Sequence, residues 1–394
     1  MRPRAGSKAL IREINEALVL DVVRAHRPVA RARIATETGL SPATVTGITS
    51  RLLGAGLLTE TDAVRSTGGR PARLLDLGTD AVLAAGVRLS DTDAYVVLVD
   101  LRGDVVASHQ EPLTSTRPQD VGESVARAVA IAAASRTSST LIGVGVAVSG
   151  VVDQQSGIVR HSGSMGWENV PLQRQLTALL ETPVVLDSYV NSVASGLLLF
   201  DGGLAGRNLM IFSVGASLGA SVVVEGRIHR GFSGTAGGFA HSRVGTDAGR
   251  PCHCGAKDCL ETWASHWGIQ RELERRGVKP GSLVGCDDDV IASAADSLGT
   301  AVANAAKMFG PERVVVAFTP EMNVPALTAG TEEVFRRQYA HGTTPPPALE
   351  IAATGPSSHA SGAAYTVLAR LFTADTADTS DADATGARGT VTAG

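Results

Sequence analysis

Aromatic side chains are scarce: eight Phe, four Tyr and three Trp make up 4% of the 394 residues. A folded core must therefore rest on Ala, Val, Leu and Ile. No stretch approaches the roughly 18 uninterrupted apolar residues of a membrane span, so none is expected. The basic start, Met1 to Leu10, is followed by neither an apolar segment nor a small-residue cleavage site. No signal peptide is read there, and a cytoplasmic protein is the expectation. Cysteine is also rare, with four in the chain, and their spacing is not that of a disulfide framework. At 44% hydrophobic and 19% charged residues the chain is neither disordered nor collagen-like. Its length allows two or three domains.

The overall charge of −4 hides an asymmetry. Residues 1–78 carry 12 Lys/Arg against 7 Asp/Glu, while the remainder carries 23 against 32. A basic head on an acidic body suggests an anionic partner for the head alone.

The head reads as a winged helix-turn-helix. Leu10, Ile11, Ile14, Leu18 and Val22 recur at helical spacing. A second helix fits Arg31 to Thr38 and ends at Gly39. Ser41-Pro42 supplies an N-cap and a first-turn proline for a third helix, running to about Ala55. Leu57–Glu60 and Ala72–Leu77 read as strands joined by a turn at Thr67-Gly68-Gly69-Arg70-Pro71. In such a motif the third helix enters the major groove. Ser41, Ala43, Thr44, Thr46, Gly47, Ser50 and Arg51 lie at its N-cap or on its outward face. Small and hydroxylic side chains suit close approach to base edges. Gly47 costs about 1 kcal/mol against Ala mid-helix, which close approach to DNA would explain. Arg31, Arg33 and Arg51 can neutralise phosphates, and Arg70 at the wing tip can enter a narrow minor groove.

Past residue 78 the pattern changes. Strands are expected at Val82–Leu89, Ala94–Asp100, Asp104–Ser108 and Leu141–Val148, with a helix over Val121–Ala134. A related pattern returns about 125 residues later, at Leu209–Val214 and Ala220–Val224, interrupted by an insertion over residues 230–265. Two copies of one unit suggest two similar lobes. The final stretch, 373–394, holds almost no large apolar residues and is expected to be disordered.

The insertion holds Cys252, Cys254 and Cys259, with His241 ahead of them. Three thiolates and an imidazole are the ligand set of a closed structural zinc site, with no position left for a reactive water. His253, between two of the cysteines, competes as fourth ligand. Cys286 reads as an ordinary thiol.

The head, together with His241…Cys252-His253-Cys254-Gly255-x3-Cys259-Leu260-Glu261, resembles the ROK family, and in particular its transcriptional regulators, over residues 8 to about 370. The resemblance implies an α/β chain: a winged helix-turn-helix (1–78), a two-lobed actin-like, ribonuclease-H-like body (79–372) with a zinc loop at 241–259, and a tail. It also implies structural zinc, a homodimer or tetramer, and a sugar ligand. A two-fold dimer would present two recognition helices to a palindromic duplex.

The family's kinase machinery is degraded here. Its first phosphate loop, D-x-G-G-T, matches Val87-Arg88-Leu89-Ser90-Asp91, which lacks glycine. The second, G-T-G-x-G, matches Gly215-Ala216-Ser217-Leu218-Gly219. The adenosine-side glycine pair falls at Phe318-Thr319. N-D-A-N, whose Asp is the catalytic base, matches Ser188-Tyr189-Val190-Asn191, and a tyrosine cannot stand in as that base at neutral pH. A-G-E-x-G-H matches Ala236-Gly237-Gly238-Phe239-Ala240-His241. Of the sugar-contacting positions, Asn191, His241 and Glu261 remain, with Gly150 and Trp167 in the upstream sugar-loop region. His241 is equally accounted for as a zinc ligand, and Glu261 as a helix-start residue. The expectation is a DNA-binding repressor without catalysis. Its alternatives are a sugar kinase with an accessory domain, or a regulator that no longer senses sugar.

Overall fold

The computed structural model describes residues 8–62, 73–201, 204, 206–244, 248–279, 281–285, 288–339 and 345–373. The wing tip with Arg70, Cys286 and the tail beyond Thr373 lie outside them. The chain divides into two compact units. One runs to Ala81 and takes in the chain from Leu368; the other spans Val82–Val367.

In the first unit, helix α1 (Lys8–His26) buries Val19, Leu20 and Val23. Helix α2 (Arg31–Thr38) stops where Gly39 adopts φ +69°, the left-handed conformation that favours glycine. Helix α3 (Pro42–Gly54) starts at Ser41, whose hydroxyl accepts from the Thr44 N–H at 3.1 Å. Val45, Ile48, Thr49 and Leu52 form its buried face. The strands Leu58–Asp62 and Arg73–Leu77 pair antiparallel, and Val29–Ala30 adds to the other side of Arg73–Leu77. These three helices and two of the three strands fall where the sequence reading placed helices and strands.

The second unit holds two five-stranded sheets of one design. The first is ordered Val184–Ser188, Thr140–Val148, Val82–Leu89, Asp93–Val99, Val105–Pro112. The second is ordered Ala348–Ala353, Arg313–Phe318, Leu209–Val214, Leu218–Val224, Arg227–His229. In each, three parallel strands continue into two antiparallel hairpins. The sequence repeat is thus a structural repeat, and each sheet has its own core of Val, Leu, Ile and Ala. A third sheet, Val151–Asp153, Ile158–Ser162 and Trp167–Val170, was not read from the sequence because its strands are too short to display a period.

Two glycines fix how closely the helix Pro356–Phe372 approaches the first sheet. A Cβ on Gly86 would lie 1.8 Å from the Ala360 carbonyl oxygen, and one on Gly145 would lie 1.8 Å from that of Ala363. No larger residue fits there without moving the helix. No helix among the described residues is long and apolar enough to cross a membrane.

Candidate DNA-reading face, metal centre and ligand cavity

Ser41, Ala43, Thr44, Thr46, Gly47, Ser50 and Arg51 are all exposed, on the face of α3 opposite its buried stripe. Local hydrogen bonds fix several hydroxyls. Ser41 and Thr44 share one at 2.9 Å, and Thr46 donates to the Pro42 carbonyl at 2.8 Å. Bound this way, Thr46 turns its other atoms outward, and its hydroxyl oxygen can still accept. No Cβ at Gly47 would meet any atom of the protein, so internal packing does not require glycine there.

The three arginines expected to meet phosphates each hold a carboxylate. Arg31 Nη2 lies 2.7 Å from Glu60 Oε1 while its Nε donates to Thr49. Arg33 Nε lies 2.6 Å from Glu37 Oε1, and Arg51 Nη2 lies 2.7 Å from Glu16 Oε1. Hydrogen bonds from these arginines hold Glu37 and Glu60 below the usual carboxylate range, Arg33 leading for one and Arg31 for the other.

His241, Cys252, Cys254 and Cys259 converge, with their ligand atoms all within 4.8 Å of one another. His241 Nδ1 is 3.6 Å from Cys252 Sγ, and Cys254 Sγ is 3.7 Å from Cys259 Sγ. A tetrahedral zinc ion about 2.3 Å from sulfur and about 2.0 Å from nitrogen separates its ligands by about 3.6–3.8 Å. The donor set and its spacing therefore fit zinc. Burial and the neighbouring cysteines push the Cys259 thiol up to about 12. A cation would reverse that balance by holding the sulfur as thiolate. Gly255, at φ +88°, turns the chain between the second and third sulfurs. His253 is not in this group. Its ring meets His241 edge-on, centroids 5.4 Å apart, and also meets Trp267 at 5.1 Å.

Behind the metal group lies a cavity of about 190 Å³ lined by residues of both lobes, among them Ser149, Gly150, Asn191, Ser217, Gly237 and His241. Three of the four expected ligand residues thus meet in one space. The fourth, Glu261, sits just behind the wall. Its Oε2 accepts from the N–H of Leu218, a lining residue, at 2.9 Å. It is 1% exposed, Oε1 meets no donor, and burial pushes its carboxyl up to about 7. Trp167 is not part of the cavity. It is buried, and its indole N–H donates to the Thr116 carbonyl at 2.6 Å.

Asp187 escaped the sequence reading. It is 2% exposed, at the end of a first-sheet strand. Its Oδ1 accepts from Asn191 Nδ2 at 2.7 Å and from the Ser188 N–H at 2.8 Å. Its Oδ2 takes Arg230 at 2.7 Å and Gln154 at 2.9 Å. A buried carboxylate persists only when its lone pairs are met, and this one is. It fixes the side chain of Asn191 against the cavity and ties the two lobes together through Arg230. The nearest sequence signal was its place directly before the Ser188–Asn191 segment.

The residues matching the first phosphate loop and the base position form a packed stack. The Tyr189 ring lies parallel to the His359 ring, centroids 5.0 Å apart, and the Arg88 guanidinium sits 5.9 Å from the centre of the Tyr189 ring. Tyr189 donates its hydroxyl to the Leu89 carbonyl. Burial raises its phenol well above the ordinary range. Burial, with help from Arg88, lowers the His359 imidazole to about 4. Arg88 is itself tied to Asp93 and Ser90. Tyr189, not a carboxylate, stands at the position that matches the kinase family's catalytic Asp.

Comparison with known proteins agrees with this architecture. A putative xylose repressor of Caldicellulosiruptor sp. (strain Rt8B.4) is 28% identical over 337 residues, covering 79% of this chain and 84% of the repressor. The DNA-binding transcriptional dual regulator NagC of Escherichia coli (strain K12) is 30% identical over 335 residues, covering 79% of this chain and 82% of its own. A crystal structure of a ROK family transcriptional regulator, a homolog of the E. coli MLC protein, superposes with a TM-score of 0.75 at 22% identity, covering 92% of this chain and 98% of that one. Glucokinases match as well, over a smaller share of the chain. The ROK family model matches residues 84–370, and the chain belongs to the ROK family.

Proposed function

We infer that this protein is a DNA-binding transcriptional repressor of the ROK family. Its body holds structural zinc and takes a small polar ligand, of the sugar class, in the cavity between its lobes. The observation that carries the DNA reading is the exposed face of α3: hydroxyls, a glycine and an arginine, presented by a capped helix in a head of net positive charge. The repressor names of the relatives support it. His241, Cys252, Cys254 and Cys259 would hold the zinc, which supplies a structural cross-link across the insertion. Ligand binding between the lobes would shift their geometry and so change operator affinity, and a two-fold dimer would read a palindrome.

Selection of bound fragments from genomic DNA, followed by footprinting, tests the reading. The expected result is a protected palindrome whose affinity falls steeply with salt. Indifference to sequence and salt would refute it. Replacing Arg70 by Ala weakens operator binding by about 1–2 kcal/mol with the melting temperature unchanged; equal protection by the variant would exclude the wing from the interface.

The stack of Arg88, Tyr189 and His359 supports a body without phosphoryl transfer, since no group there accepts a proton from a sugar hydroxyl. With ATP and Mg²⁺, glucose, xylose and N-acetylglucosamine are expected to yield no phosphorylated product above the protein-free rate. Turnover in the ordinary kinase range would favour the sugar-kinase reading.

A further inference from the structure

The head's excess of positive charge does not reside in the helices that would touch DNA. Residues 8–62 and 73–78 contain eight Lys/Arg and seven Asp/Glu, against 12 and 7 for residues 1–78 as a whole. The near balance is local. Each arginine placed to meet a phosphate is matched to a carboxylate, from another element for Arg31 and Arg51 and one helical turn along α2 for Arg33. Glu16 of α1 holds Arg51 through both Nε (3.1 Å) and Nη2 (2.7 Å). Glu60, on the first wing strand, holds Arg31 at 2.7 Å and Arg73 at 2.7 Å. Glu37 of α2 holds Arg33 at 2.6 Å and His26 at 2.8 Å. None of the three carboxylates is needed to neutralise a buried charge. Their side chains are 26–32% exposed, and the arginines they hold are 28–69% exposed.

We propose that Glu16, Glu37 and Glu60 are carboxylate masks that set the affinity of this head for duplex DNA. Each occupies, in the free protein, the guanidinium that a backbone phosphate would take. Binding is then an exchange of carboxylate for phosphate on Arg51, Arg33 and Arg31. Each exchange gains less than the neutralisation of an unpaired cation, and each leaves a carboxylate close to the phosphate chain. The consequence is weak sequence-independent binding, so base contacts from α3 account for a larger share of the total. A genome offers a vast excess of wrong sites, and restraint of the electrostatic part keeps the head from being held on them.

The proposal rests on the reading of α3 as the groove-facing helix, and one experiment separates the two. The full-length protein carrying Glu16→Gln, Glu37→Gln and Glu60→Gln together is titrated with a mixed-sequence duplex and with the footprinted operator over a range of salt. Glutamine keeps the shape and one acceptor, and a melting curve of each variant verifies the fold. The expected result is about tenfold tighter binding to both duplexes at fixed salt, and a log–log salt slope steeper by up to about one for each guanidinium released. A purely structural role for the glutamates would not steepen that slope. Unchanged or weaker binding by the triple variant, while Arg33→Gln with Arg51→Gln weakens binding, overturns the masks and leaves the DNA face intact. If neither set of substitutions alters binding, α3 and its neighbours do not face DNA, and the proposal falls with that reading.

Discussion

Serine in place of Cys259 is expected to abolish metal binding by the His241 group and to lower the melting temperature by about 6–12 °C. Cys259 is 1% exposed and stands at the foot of the insertion, directly before Leu260, which is fully buried in the core of the second sheet. Around it the loop is held to itself by backbone hydrogen bonds, among them Val244 N–H to the Asp258 carbonyl at 3.0 Å and Cys252 N–H to that of Ala256 at 2.9 Å. Two isolated bridges join Arg243 to Cys259 and Pro251 to Lys257. The Asp258 carboxylate accepts the N–H groups of Gly249 at 3.1 Å and Arg250 at 2.9 Å. Few large apolar side chains are buried among the described residues of this segment, so a cross-link through its sulfurs would offset much of its ordering entropy. A hydroxyl is a far poorer zinc ligand than a thiolate, so the loop loses its anchor. Structural zinc contributes about 10–16 kcal/mol in small domains that fold only with metal. Here the lobes have their own cores, so an effect near 3 kcal/mol is expected, at about 2–4 °C per kcal/mol. Metal analysis and a thermal scan check this together. Full zinc content and an unshifted transition in the variant would refute the metal centre.

Acid is expected to destabilise the body through His359. Its imidazole lies at about 4 in the fold, because burial disfavours the charged ring, against about 6.5 when the chain is unfolded. The unfolded chain therefore binds the extra proton first as pH falls. Stability supplied by this group is complete above about pH 6.5 and is lost progressively down to about pH 4. Integrated over that window, the loss is about 3 kcal/mol. Phenylalanine at 359 preserves the stack on Tyr189 and has no proton to bind, so the acid-side slope should flatten by about that amount. It also removes the contact between His359 Nε2 and Thr354 Oγ1 at 3.3 Å, which costs something at neutral pH. Urea unfolding at pH 7 and pH 5 on both proteins measures the part of the difference that falls in that range, about 2 kcal/mol. Equal pH dependence in the two would mean that other groups govern the acid limb.

The stack around His359 also occupies the positions that match the kinase family's first phosphate loop and catalytic base. The kinase pattern, read against Val87–Asp91 and Ser188–Asn191, predicted that phosphate binding and base were lost. At those positions the structure holds an arginine, a phenol and an imidazole: the Tyr189 ring stacks on that of His359, Arg88 lies over Tyr189, and Tyr189 lines the cavity wall. Glu261 follows the opposite logic. A carboxylate that is 1% exposed with one unpaired oxygen costs the fold free energy. Such a cost is expected where a side chain is retained for a ligand and not for packing.

Much of this was legible in the residues themselves. Helix ends in the head are local chemistry: Gly39 stops α2 because the turn needs positive φ, and Ser41-Pro42 starts α3 because an unpaired N–H needs an acceptor. The metal group was legible too, since three thiols and a histidine within a short insertion have few other uses together. The chain alone, then, determined the helices and paired strands of the head, the doubled strand pattern and the grouping of His241 with three cysteines, because each depends on neighbours close in sequence. The tertiary structure decided which charges meet. It paired Glu16 with Arg51, set Asp187 between Asn191 and Arg230, and laid Tyr189 on His359. Those partners are chosen by how separate elements pack, and no spacing along the chain encodes that choice.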